Sequence, residues 1–124
     1  MFFPEGQVRV YVYGQPVDMR RSFDGLYALA KNEMKLNPLS GHLFCFISRR
    51  GSIVKILYWD RSGWALWAKR LERGRFGGAS VGATREMDYT GLKMLLEGIE
   101  PLRVRRRYRL PGANVEGQSA INTL

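Results

Sequence analysis

The sequence predicts an α+β fold, an antiparallel β-meander sheet of about four strands packed with two helices. Three observations predict it. One segment alternates with period 2, two segments carry apolar residues at helical spacing, and three further β-type segments between residues 43 and 71 are joined by connections of only a few residues. Connections that short join antiparallel neighbours. A chain of 124 residues is one domain's worth. The expected organisation is a single domain over 1–110 with a basic C-terminal arm, then a disordered, flexible tail over 111–124.

Val8-Arg9-Val10-Tyr11-Val12-Tyr13 alternates strictly, with the valines on one face, so it reads as a strand joining the sheet. Ser22 is placed as a helix N-cap, with Asp24 in the first turn where the helix dipole favours a carboxylate. Phe23, Leu26, Tyr27, Ala30 and Met34 follow at helical spacing, and Asn37-Pro38 stops the helix. Leu43 to Arg49 and Ile53 to Trp59 are strands joined through Arg50-Gly51-Ser52. Asp60-Arg61-Ser62-Gly63 is a turn with Asp first and Gly fourth, leading to a strand from Trp64 to about Leu71. Residues 74–88 hold four glycines and read mostly as loop. Thr90 is placed as the N-cap of the second helix, stapled by Tyr89 and Met94, with Leu92, Leu95, Leu96 and Ile99 as its apolar stripe. Ile53, Lys55, Leu57 and Trp59 share one face of their strand, and Val54, Ile56 and Tyr58 share the other. Apolar residues on both faces call for cover on both. The helices are expected on one, and a partner protein or a second subunit is open for the other.

The formal net charge is +9, which points to polyanionic partners rather than to a fold. No apolar run approaches the roughly 18 residues of a membrane-spanning helix. The first residues carry no basic, apolar leader pattern, so no signal peptide is expected. A single cysteine, Cys45, excludes an internal disulfide. These features fit a reducing, cytoplasmic location beside the nucleoid, with no membrane partner.

Residues for catalysis are scarce. His42 and Cys45 are the only members of their types, too few for a four-ligand zinc site. Three positions apart at a strand start, they point to opposite faces and read as a loop histidine and a core cysteine. Asp18, Asp24, Asp60, Glu72, Glu86 and Asp88 are scattered, and turn, cap and ion-pair roles account for them. Gly74-Arg75-Phe76-Gly77-Gly78 lacks the Gly-Lys-Ser/Thr end of a phosphate loop. The sequence thus offers no catalytic residue, no metal site and no cofactor, and predicts that the protein is not an enzyme. A metal-dependent nuclease using Asp60 or Glu72 is the reading it supports least.

The basic positions say more. Arg49 and Arg50 fall in the first hairpin turn and Arg61 in the second. Lys69, Arg70, Arg73 and Arg75 crowd the end of the last strand, and Arg20 and Arg21 precede the first helix. Arg103, Arg105, Arg106, Arg107 and Arg109 form the densest run, expected as an arm gripping a nucleic-acid backbone. Arginine suits bidentate phosphate contacts. The interleaved aromatics Trp59, Trp64 and Phe76 are candidates for stacking or partner contact. The competing reading makes the tryptophans core and the arginines a solvated rim.

Several stretches occur together and in order: Asp18-Met19-Arg20-Arg21, Gly25-Leu26, Pro38-Leu39-Ser40-Gly41-His42-Leu43-Phe44, Lys55-Ile56-Leu57-Tyr58-Trp59-Asp60, Lys69-Arg70-Leu71-Glu72-Arg73-Gly74-Arg75-Phe76 and Leu95-Leu96-Glu97-Gly98-Ile99. In these the chain resembles, over roughly residues 5 to 110, the TnpB accessory proteins of insertion-sequence family 66, the second-open-reading-frame-like family. These are distinct from the RNA-guided nucleases that share the TnpB name. The resemblance implies a non-catalytic accessory required for transposition of a bacterial insertion sequence, and it brings no established catalytic residues. Its expected partners are DNA and the transposase or another element-encoded protein, with a second copy of the chain as the remaining candidate. The alternative is a pure interaction module that docks Lys69 to Phe76 on an acidic patch of the transposase without touching DNA.

Overall fold

The computed structural model describes residues 8–77 and 82–97. Strands β1 (Val10–Val12), β2 (Leu43–Ile47), β3 (Ile53–Asp60), β4 (Gly63–Arg70) and β5 (Arg85–Met87) form one sheet in the order β4-β3-β2-β1-β5. Helices α1 (Phe23–Ala28) and α2 (Tyr89–Leu96) pack on it. The α+β class and the β2-β3-β4 meander match expectation.

The sheet is mixed, which corrects the antiparallel meander. β1 lies parallel to β2, with Val10 opposite Leu43 and Val12 opposite Cys45. Val17 extends the parallel pairing to Ser48. Alternation in Val8 to Tyr13 states which side chains face the core, but neither the partner nor the direction. A parallel neighbour needs a long crossover, and here it carries α1. β5 pairs antiparallel with β1, with Val12 opposite Arg85, inside the segment read as loop. Arg85-Glu86-Met87 has no β-branched residue to announce a strand.

The helices divide between the two faces, so each face is covered by the chain itself. On one, Leu92, Leu95 and Leu96 of α2 pack over Val10, Val12, Cys45, Ile56 and Tyr58. On the other, Leu26 of α1, with Ala30 and Met34 beyond it, packs over Phe44, Phe46 and Leu57. This explains why all five residues of β2 are buried. A strand covered on both sides reads as a continuous apolar run. Each large β2 side chain excluded from water contributes about 1.5–3 kcal/mol.

The helix ends differ from expectation. Ser22 precedes α1 without a side-chain capping bond, and α1 runs on through a π-helical turn, Leu29–Glu33. α2 is capped by Asp88, whose Oδ1 accepts from Gly91 N at 2.9 Å, two residues before the expected Thr90. With Asp88 as the cap, Met87 takes the position before it and packs into the same cluster as Leu92. Gly14 admits no side chain, because a Cβ there would run into the backbone of Ala83.

Candidate nucleic-acid interface

The sheet has two ends, and they carry different chemistry. β2 leaves and β3 enters at one end through Arg49, Arg50 and Gly51, and β4 leaves at the same end. Two backbone hydrogen bonds clamp these connections together. Leu71 N donates to Ser52 O at 2.8 Å, and Phe76 N donates to Gly51 O at 2.7 Å. Gly51 has φ +78°, where a side chain is strained, and a Cβ there would stand 3.0 Å from Arg75 Cβ. The tight approach therefore seats Arg75 against the Arg49-Arg50 turn. Arg49, Arg50, Arg70, Arg73 and Arg75 are all exposed at this end.

The acids nearby do little to neutralise it. Arg70 Nε meets Glu72 Oε2 at 3.4 Å with both side chains largely in water, an arrangement that contributes about 0–1 kcal/mol. Asp18 is held by Arg20, with Nη2 to Oδ2 at 2.6 Å. Chiefly through the Arg20 side-chain hydrogen bonds, its carboxyl is lowered to about 2. The Arg20–Arg21 segment is fixed from below by Lys55, whose Nζ donates to Met19 O at 2.7 Å and Arg21 O at 2.8 Å. The sequence marked Lys55 only as a charge on an apolar strand face. That misfit was the available sign of a partly buried positioning role.

Not every predicted residue joins this group. Lys69 Nζ donates to Leu96 O at 2.9 Å in a partly buried contact, so its charge serves the C-terminal end of α2. Phe76 is 3% exposed and packs in the α2-side core, so its ring presents no stacking surface. Arg61 sits in the β3–β4 connection at the other end of the sheet, about 25 Å away along β3. There it adopts φ +57°. A two-residue hairpin connection needs a positive φ to match the strand twist, which Asp-first and Gly-fourth did not foretell. Trp59 and Trp64 are opposite each other at this far end, edge to face at 5.1 Å between ring centroids. Trp64 meets Tyr27 of α1 at 5.5 Å, so both tryptophans are half-buried and partly spent on packing. Arg103, Arg105, Arg106, Arg107 and Arg109 lie outside the described residues, as does the 111–124 tail.

The residues considered for catalysis are dispersed. His42 Nδ1 accepts from Arg9 N at 3.0 Å and its ring meets Tyr11 edge-on. Cys45 lies fully buried under α2, where desolvation pushes its thiol far up. Glu86 pairs with Arg9 at 2.6 Å, and Asp88 caps α2. Among the described residues no three His, Cys, Asp or Glu side chains converge as a metal site would require. No helix among them is long and apolar enough to cross a membrane.

The family model described as IS66 Orf2 like protein matches residues 8–106 of the chain. Two proteins of Sinorhizobium fredii (strain NBRC 101917 / NGR234) are similar to it. Uncharacterized protein y4hO is 40% identical over 104 residues, covering 78% of this chain and 86% of its own length. Uncharacterized protein y4jC is 34% identical over 108 residues, covering 86% and 92%. No solved structure matches.

Proposed function

The chain belongs to the IS66 Orf2-like family, and on that footing we propose that it serves transposition as a non-catalytic, duplex-DNA-binding accessory of an insertion sequence. The observation that carries the proposal is the convergence of Arg49, Arg50, Arg70, Arg73 and Arg75 on one end of the sheet, exposed and clamped there by the Gly51–Phe76 bond. Rigid guanidinium groups on adjoining turns match a row of phosphates spaced along a backbone. Such contacts position a protein without reading sequence, so the transposase is left to select the element end.

Equilibrium binding to labelled duplex DNA, random and element-end, across a salt series tests this. Five phosphate contacts give a log-log slope of about −4.5. Replacing Arg73 with Ala flattens it by about 0.9. Absence of binding at low salt refutes the proposal and turns the same arginines into a docking face for an acidic surface of the transposase.

A further inference from the structure

The two edges of the sheet are built differently. β5 is three residues long and bears Arg85 and Glu86, the latter tied to Arg9. Short, charged edges resist pairing with another chain. β4 has none of these protections. It is eight residues long, pairs with β3 without a bulge, contains no proline, and keeps its charges to Lys69 and Arg70 at one end. Trp64 and Leu66 face α1, Ala65 and Trp67 face α2, and all four are half-exposed.

The Leu71 N to Ser52 O bond sets the alternation of the ladder. Residues 65, 67 and 69 turn their backbone groups toward β3, and residues 64, 66, 68 and 70 turn theirs outward. Among the described residues nothing hydrogen-bonds to that outer row.

We infer that β4 pairs antiparallel with β4 of a second copy of the chain about a two-fold axis at Leu66, joining the two sheets edge to edge. Three features select a second copy as the occupant. In this register Trp64 falls opposite Ala68 of the second copy and Ala65 opposite Trp67, so a large side chain meets a small one on both faces. Leu66 meets Leu66 at the axis, within the outward-facing, hydrogen-bonding set. The charged end of each strand, Lys69-Arg70, lies beside Gly63 and the turn of the other copy. The two Lys69-Arg70 pairs are thereby parted to opposite ends of the shared ladder, with Arg70 opposite Ser62 of the other copy and two positions from its Asp60. A two-fold interface needs such self-complementarity. The dimer would carry its two arginine ends pointing in opposite directions.

Sedimentation equilibrium of the full chain without DNA, over a concentration series, tests the inference. The expected result is a reversible monomer–dimer equilibrium that Ala68→Glu weakens by more than about tenfold, since it buries a carboxylate against Trp64. Ala68 is exposed in the monomer, so thermal unfolding at low concentration should not move. The substitution also lowers the net positive charge, so general repulsion predicts the opposite change. Amide exchange at Trp64, Leu66 and Ala68 should slow with protein concentration. A monomer at every concentration overturns the inference, as does a dimer indifferent to Ala68→Glu. Slow exchange at those amides in a monomer also overturns it, by showing that the chain covers its own edge.

Discussion

Gly51 offers the sharpest test of how the arginine end is assembled. Gly51→Ala imposes two costs. At φ +78° an L-residue is strained by about 1–2 kcal/mol. The new Cβ would also sit 3.0 Å from Arg75 Cβ and 3.3 Å from Phe76 O, neither of which is the far end of a flexible side chain. The 71–77 loop must back away, weakening the 2.7 Å Phe76–Gly51 hydrogen bond, worth about 1 kcal/mol. The expected total is about 2–3 kcal/mol, a large share of a small domain's stability of about 5–15 kcal/mol. Gly74→Ala is the internal control, because Gly74 has the same φ of +78° with nothing within 4 Å. Urea unfolding followed by tryptophan fluorescence should show Gly74→Ala losing the backbone term alone and Gly51→Ala losing about 1 kcal/mol more. DNA affinity should fall with Gly51→Ala, because Arg75 loses its seat, and hold with Gly74→Ala. Equal stability losses in the two variants would refute the idea that close packing of the loops seats the arginines.

Lys69→Met should destabilise the fold by about 1.5–3 kcal/mol, the value of a hydrogen bond to a charged group, in thermal melts while leaving the salt slope of DNA binding unchanged. Arg73→Ala should do the reverse. Arg61→Gly should raise stability by about 1 kcal/mol, because glycine adopts the positive φ without strain, and should leave DNA affinity intact at a turn so far from the arginine end; chemical unfolding and the binding assay read both. The Asp18 carboxyl should titrate at about 2 in the folded chain, below the ordinary 3.8 of a free aspartate. Its pKa is depressed on folding, so the stability it lends is present above about pH 4 and is lost as pH falls toward 2. Being exposed, it lends little. Carbon-detected NMR titration should show Arg20→Ala returning the carboxyl toward its ordinary range.

The meander was legible because its turns are local. Asp60 to Gly63 and Arg50 to Ser52 announce reversals within a few residues, and reversal that tight permits only antiparallel pairing. The arginines themselves were visible one by one. Their grouping was partly legible, since alternate turns of a meander fall at the same end of a sheet. That geometry unites Arg49, Arg50 and Arg75 and sends Arg61 to the other end. Phe76 stood among charged residues in the sequence, and only its position under α2 put it in the core.

What the sequence determined by itself was what depends on neighbours in the chain: the strand and helix types, the β2–β3–β4 order, the family, and a net charge of +9. Tertiary structure alone decided the rest. It placed β1 parallel beside β2, recruited β5, and set the two helices on opposite faces. It also spent Lys69 on a helix end and Lys55 on a loop. Period and propensity specify which face of an element is buried. The partner that buries it is chosen by contacts between residues tens of positions apart, and no local pattern encodes those.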